Sequence, residues 1–265
     1  MNKSTTHSHR AIELLEALRR FGGSARNAEL ARAMNVSEET IRRTVKALSK
    51  SGEVARVYGG AYLVGGNEDP SFFRRIAEHM SEKRVIASTV ADLVADGTTV
   101  FLDVGSTTAF IAEELRSRRN ITAVTNSIGV AQTLVSHNGN RVFLLGGEMQ
   151  SDERGAFGFV TEGQAQTFVF DLAVLGADAL SLKEGFLFLN PSEANLARVV
   201  AARSDKVLVA MDHYKFNTKA PFVGPGVDSI DGLITDAAPD ADMTDALRGW
   251  DISIEVAVPR QGKKP

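Results

Sequence analysis

From Gly97 to the end of the chain, short β-branched, apolar runs alternate with amphipathic stretches, and few architectures accommodate such an alternation. The spacing predicts strands over residues 98–103, 121–125, 141–145, 172–176, 206–211, 232–235 and 252–256. Helices are predicted between most of them, over 107–116, 128–135, 160–167, 193–202 and 241–248. Because the strands are near-continuously apolar, both of their faces must be covered, and a helix between successive strands is the connection that parallel pairing requires. The expectation is an α/β, Rossmann-like domain with a mainly parallel sheet, whose ligands bind beyond the carboxyl ends of the strands.

Those strand ends carry chemistry. The first runs into a helix through Asp103-Val104-Gly105-Ser106-Thr107-Thr108, which places a glycine and three hydroxyls where free N–H groups and the positive end of the helix dipole converge. Such a place suits a phosphate. The second strand ends in Thr125-Asn126-Ser127, and the third in Leu145-Gly146-Gly147, where missing side chains let a ligand approach the backbone. Singly, each is an ordinary cap or turn. Three neighbouring polar strand ends together predict a shared crevice.

The first 65 residues follow a different plan. Val36–Lys50 reads as a helix with Ser37 as N-cap, Glu38 and Glu39 against the positive end of its dipole, and Ile41, Val45 and Leu48 as its apolar stripe. Thr40, Arg42, Arg43, Lys46 and Lys50 are left for the remaining surface. Two shorter helices precede it, over 11–21 with Ile12, Leu15 and Leu18 inward and over 27–34 with Leu30 and Met34 inward, and Asn35 supplies a turn. After Gly52 a β-rich run broken by Gly59-Gly60 predicts a hairpin, with Arg56 and Tyr58 beside its turn. Any small bundle has a basic solvated face and any hairpin a flexible turn. Their order here, with cations gathered on the third helix, predicts a winged helix-turn-helix that binds double-stranded DNA.

Charge divides the chain the same way. Residues 1–65 hold 11 Lys/Arg against 6 Asp/Glu, a net +5, and the remaining 200 residues carry −8. Phosphate attraction is largely a count of nearby cations, so the head suits nucleic acid and the body does not. The polar, turn-forming run Gly65 to Pro70 marks a boundary, which gives residues 1–65 as the DNA-binding domain, 66–97 as a linker helix region and 98–265 as the α/β domain that holds the crevice. In the linker region Arg74, Arg75, Lys83 and Arg84 read as a solvated face. There are no cysteines, which excludes disulfides, thiolate nucleophiles and Cys-based zinc sites, and the five histidines lack zinc-ligand spacing, so neither metal nor cofactor is expected. No stretch is long and apolar enough for a membrane span, and the polar amino terminus lacks the core of a secretory signal, so the expected location is the cytoplasm.

Residues 24–63 resemble the winged helix-turn-helix of the DeoR family of bacterial transcription regulators, through Glu29-Leu30-Ala31, Val36-Ser37, Thr40-Ile41-Arg42-Arg43, Leu48, Gly52, Arg56 and Gly59-Gly60-Ala61. Thr44-Val45 stands where that family usually has Asp-Leu, and Tyr58 where His is common. The second half resembles the family's sensor domain, itself similar to ribose-5-phosphate isomerase, through Asp103–Thr108, Val124–Ser127, Leu145–Gly147, Asp171 with Gly176, Glu184-Gly185, Glu193-Ala194, Asp212 with Lys215-Phe216, and Leu233–Asp236. The resemblance implies a DNA-binding regulator, with repression of a sugar or polyol catabolic operon the favoured sign, whose operator affinity responds to a phosphorylated sugar or polyol. Ser37, Thr40, Arg42, Arg43, Lys46, Arg56 and Tyr58 would then face DNA. The effector would meet residues 105–108, 125–127 and 146–147, with Asp103, Asn126 and Asp178 on its hydroxyls and Lys215 on its phosphate. Two features depart from the family: Ala197 replaces one member of a basic pair beside Arg198, and Tyr214 precedes Lys215 where serine is usual.

The rival is an isomerase-like enzyme with an appended DNA-binding domain. The loops at 176–180 and 183–185 faintly resemble those of the isomerases, but Ala179 stands where a second carboxylate is needed, and no catalytic pair is evident. A third reading has the large domain only oligomerise. A homo-oligomer is expected in any case, because one helix-turn-helix reads a single half-site.

Overall fold

The computed structural model describes residues 9–20, 24–57, 59–63, 72, 75–76, 78–150 and 152–259. The chain divides into two compact units, Met1–Glu78 and His79–Pro265. In the first, α1 (His9–Arg20), α2 (Asn27–Ala33) and α3 (Glu38–Lys50) pack around Leu14, Leu18, Leu30, Ile41, Val45 and Leu48. Asn35 makes the α2–α3 turn with φ 50°, a left-handed conformation that a short polar side chain tolerates. The buried face of α1 is Ala11, Leu14, Leu15, Ala17 and Leu18, so Ile12, expected to point inward, is instead 47% exposed. Its 3-residue spacing from Leu15 matches a helix period, but the contact arc is centred on the 11-14-15-18 row and Ile12 falls beyond its edge.

A three-stranded antiparallel sheet completes this unit, in the order β1-β3-β2, formed by β1 (Ser24–Arg26), β2 (Val54–Val57) and β3 (Gly60–Leu63). Strand β1 is three residues long, too short to leave a periodic signal, and the sequence does not announce it. Gly59 adopts φ 72° in the hairpin. A Cβ on Gly60 would lie 2.4 Å from the Ala25 carbonyl oxygen, so glycine is what lets β3 pair with β1.

The second unit opens with α4 (Met80–Leu93), then β4 (Thr99–Leu102), α5 (Ser106–Leu115), β5 (Thr122–Thr125), α6 (Ile128–Leu134) and β6 (Arg141–Leu144). It continues through β7 (Glu148–Gln150), β8 (Gly155–Phe157), α7 (Phe159–Ala165), β9 (Leu172–Leu175), β10 (Ala179–Ser181), β11 (Gly185–Phe188) and α8 (Pro191–Ala201). The remaining elements are β12 (Val207–Ala210), β13 (Phe222–Val223), β14 (Gly232–Thr235), α9 (Ala241–Gly249) and β15 (Ser253–Val256). Seven of these strands form one parallel sheet in the order β15-β14-β12-β9-β4-β5-β6, and they are the seven the sequence predicts.

Successive residues of each inner strand feed opposite faces, as the pleat demands. Val100, Leu102, Val174 and Leu208 pack with Ile86, Val90, Ile111 and Val130 from α4, α5 and α6. Phe101, Val124, Leu175, Val209 and Leu233 pack on the other face with Leu196 and Val200 of α8 and Met243 and Leu247 of α9. Lys83, expected on a solvated face, is only 2% exposed, because α4 lies along the sheet as part of its cover.

The chain runs outward from β4 through β5 to β6, then returns to β9 on the opposite flank of β4 and proceeds outward through β12, β14 and β15. The reversal makes the gap between the carboxyl ends of β4 and β9 the topological switch point, where open α/β sheets bind ligands.

Candidate nucleic-acid interface and effector crevice

The outer surface of α3 is shaped by local hydrogen bonds. Ser37 Oγ accepts from the Thr40 N–H at 3.2 Å and lies 2.9 Å from Thr40 Oγ1, so both hydroxyls hold the start of the helix. Arg42 reaches back to Glu38 at 3.3 Å and to Glu39 at 3.4 Å. Arg43, Lys46 and Lys50 are exposed, and none of the three is in an ion pair among the described residues. At i, i+3 and i+7 they form one cationic stripe away from Ile41, Val45 and Leu48. Arg56 is exposed on β2, opposite Ala61 of the hairpin. Tyr58 lies outside the described residues.

In the sensor unit Asp103 stands at the switch point, 5% exposed, with Oδ1 accepting from the Val104 N–H at 2.7 Å and Oδ2 meeting the Gly176 N–H at 3.4 Å across the gap to β9. Burial pushes its carboxyl up from an ordinary 3.8 to about 7, against the two N–H donors and with a small addition from the negative field of Asp178 and Glu153. Near neutral pH this acid can both donate and accept. Its partial protonation also lessens the repulsion it would exert on a neighbouring anion.

Beside it begins α5. Its N-cap, Gly105, offers no side chain to the first-turn N–H groups, which a helix cannot satisfy by itself. Ser106 and Thr107 are 6% and 4% exposed, and their hydroxyls make no hydrogen bond among the described residues. Thr108 Oγ1 instead donates to the Gly105 carbonyl at 3.0 Å. The loop is braced by fully buried Asn126, whose Oδ1 accepts from the Val104 N–H at 3.1 Å while Nδ2 donates to the Ala156 carbonyl at 3.2 Å.

The other predicted effector residues have varied surroundings. Thr125 Oγ1 accepts from the Ser127 N–H at 3.0 Å, and Ser127 Oγ caps α6 through the Val130 N–H at 3.3 Å. The Gly146 N–H donates to Gln164 Oε1 at 2.7 Å, and its carbonyl accepts from Thr161 Oγ1 at 2.7 Å. A Cβ on Gly147, at φ 146°, would sit 2.1 Å from Thr161 Oγ1 and 2.7 Å from the Phe157 carbonyl oxygen. Gly147 therefore serves close packing against β8 and α7, while Gly146 is tied to α7 through its backbone N–H and carbonyl. Across the switch point Asp178 Oδ2 accepts from the Leu189 N–H at 2.8 Å, and Lys215 Nζ donates to the Ala177 carbonyl at 2.5 Å. Sequence reasoning had no means of finding Ala177, because a backbone carbonyl that receives a lysine leaves no residue-type signal. Among the described residues no group of three potential metal ligands is assembled.

Residues 10–65 match the DeoR-like helix-turn-helix domain and residues 78–237 the DeoR C terminal sensor domain. The chain belongs to the DeoR family. This DeoR-family protein is 30% identical over 254 residues to the glycerol-3-phosphate regulon repressor of Escherichia coli (strain K12), an overlap covering 96% of this chain and 99% of that one. With the HTH-type transcriptional repressor CsqR of the same organism it shares 29% identity over 233 residues, 88% of each chain. Among solved structures it resembles ribose 5-phosphate isomerase A from Methanocaldococcus jannaschii at 18% identity and a TM-score of 0.38, covering 51% of this chain and 53% of that one. The protein is a DNA-binding transcriptional regulator, with a helix-turn-helix at its amino-terminal side and a sensor domain after it. Among the described residues no helix is long and apolar enough to cross a membrane.

Proposed function

We propose that this DeoR-family protein represses a sugar or polyol catabolic operon in the cytoplasm, and that a phosphorylated sugar or polyol bound at the switch point of the sensor sheet modulates its hold on the operator. The observation that carries this reading is the start of α5. An uncapped helix end with two unengaged hydroxyls on largely buried residues answers the needs of a phosphate, since the N–H groups donate and the dipole attracts. Asp103 and Asp178 on the near and far sides supply acceptors for hydroxyls, and Lys215 is a compact cation at the far side. On DNA the stripe Arg43-Lys46-Lys50 would follow phosphates and Thr40 the groove, with Arg56 on the wing and Ser37 holding the helix end. One such head contacts a half-site, which favours a homo-oligomer on the operator.

The enzymatic alternative requires a carboxylate free to take a proton from carbon. Glu184 is paired to Lys183 at 3.0 Å on an exposed turn, and Asp178 is engaged with Leu189. That arrangement favours the regulator. The test is a thermal-shift series with glycerol 3-phosphate, ribose 5-phosphate and fructose 6-phosphate beside glycerol, ribose and fructose. Only phosphorylated compounds should raise the melting temperature, and Ser106→Ala should weaken that shift with operator affinity unchanged. Equal shifts from the unphosphorylated compounds, or turnover of a sugar phosphate, would refute the proposal.

A further inference from the structure

His213–Lys215 forms a single 3-10 turn after β12, and its side chains engage different parts of the sensor unit. Lys215 holds the Ala177 carbonyl at the switch point, one residue from the Gly176 N–H that meets Asp103. Tyr214 stacks on His79, ring centroids 3.8 Å apart and planes 22° from parallel. His213 is clamped by Asp236, with its N–H 2.9 Å from Oδ1 and its Nδ1 2.6 Å from Oδ2, and its ring lies 4.0 Å from that of Tyr214.

His79 is where the sensor unit begins, and the chain just before it leads to the DNA-binding unit. It sits at the N-cap of α4 in the left-handed conformation, φ 51° and ψ 42°, with no side-chain cap hydrogen bond. Its carbonyl receives the Lys83 N–H at 3.1 Å and so starts α4. A non-glycine residue holds this conformation at a cost of roughly 1–2 kcal/mol, and only while its surroundings impose it. The Tyr214 ring is one such constraint.

The root of the turn is less well anchored. Asp212 occupies its N-cap but makes no side-chain cap bond, is 2% exposed, and leaves Oδ1 without a hydrogen-bond partner among the described residues. A buried acceptor left unpaired is costly, so the turn is not at the bottom of its possible hydrogen bonding, and a rearrangement that gives Asp212 a partner starts with an energetic credit.

We infer that the turn His213–Lys215 transmits the state of the crevice to the start of α4. An anion at the switch point attracts Lys215 Nζ away from the neutral Ala177 carbonyl, since a charge-assisted bond is the stronger one. The turn moves with Lys215, Tyr214 shifts on His79, and the first turn of α4 is held differently, together with the chain that precedes it. This rests on the reading of the crevice as an anion-binding effector site. Tyr214 is a positioning residue in this scheme and touches neither ligand nor DNA. The ligand biases the turn only by its preference for one of the two arrangements.

Two measurements on the full-length chain decide it. Without any ligand, Lys215→Ala should raise hydrogen exchange of the amides at 83–86, the first with acceptors in α4, by about tenfold, because it frees the far end of the turn. Unchanged exchange there overturns the proposal. Next, Tyr214→Ala should keep the parent's operator affinity and the thermal shift given by the most stabilising of the three sugar phosphates, yet need about tenfold more of it to release operator in fluorescence anisotropy. Tyr214→Phe, which keeps the ring, should release like the parent. Parent-like release by Tyr214→Ala overturns the relay, and so does loss of its thermal shift, which would place Tyr214 in the binding site itself. If none of the three compounds stabilises the parent, the sugar-phosphate reading falls, and the exchange measurement still decides the relay.

Discussion

Replacing Asp103 by asparagine isolates the cost of a carboxyl buried at the switch point. Its pKa rises from 3.8 to about 7 on folding, so the folded protein holds the proton more tightly than the unfolded chain does. Folding therefore takes up a proton between those values, and the contribution of Asp103 to stability is greatest below about pH 4 and declines as pH climbs through 7. At about 1.4 kcal/mol per unit, the full loss approaches ~4 kcal/mol, of which roughly 2–3 kcal/mol falls between pH 5 and pH 8. Asparagine is neutral throughout. Its oxygen keeps the 2.7 Å bond from the Val104 N–H, and its amide NH2, a donor facing the Gly176 N–H, forfeits only the long 3.4 Å contact. Relative to the parent, Asp103→Asn should gain roughly 2–3 kcal/mol of stability on going from pH 5 to pH 8. Urea unfolding followed by the fluorescence of Trp250, the only tryptophan and a residue of the sensor unit, reports the relevant transition without interference from the DNA-binding unit. Parallel pH profiles for the two proteins would refute the assignment of a proton-holding acid to this position.

Arg43→Ala and Lys46→Ala should each weaken operator binding, lower the slope of log affinity against log salt by about 1, and leave the melting temperature in place; an unaltered salt series would remove them from the interface. Gly147→Ala should destabilise the sensor unit by about 2–3 kcal/mol, as its Cβ has no room beside Thr161 and Phe157 at φ 146°. A parent-like urea midpoint would refute that packing role. Asn126→Ala removes the side-chain donor to the Ala156 carbonyl, leaves the Val104 N–H with Asp103 Oδ1 as its one side-chain acceptor, and should cost about 1–3 kcal/mol as well as blunting the effector response, whereas Ser106→Ala should stay within about 0.5 kcal/mol of the parent in the same unfolding assay.

The parallel sheet is legible in the sequence because its seven strands are apolar runs separated by helices, a pattern few other folds tolerate. Stretches such as Leu172–Leu175 and Val207–Ala210 are buried throughout. Strands β1, β7, β8, β10, β11 and β13 left no such trace. They have two to four residues each, and their antiparallel pairing depends on what the chain meets after folding rather than on a local period. Ile12 shows the same limit within a helix: the period identifies a helix, but neighbours decide which arc is covered.

The crevice was legible as a location and not as a set of roles, for a related reason. The rule that ligands gather at strand ends follows from topology, which the alternation of elements already contains. Whether a hydroxyl or an amide there is free depends on partners contributed from elsewhere. Ser127 is taken up in capping α6, Asn126 in bracing Val104 against Ala156, and Gly146 in holding Gln164 and Thr161. Among the described residues at the strand ends, what remains unengaged is the start of α5, the Asp212 oxygen two strands away at the root of the turn that carries Lys215, and Thr235 Oγ1 at the end of β14. A ligand gains most where protein groups have not already satisfied one another. The surplus of polar capacity lies at the ends of β4, β12 and β14, on both sides of the point where the strand order reverses, rather than along β4, β5 and β6, where the residue types alone suggested it.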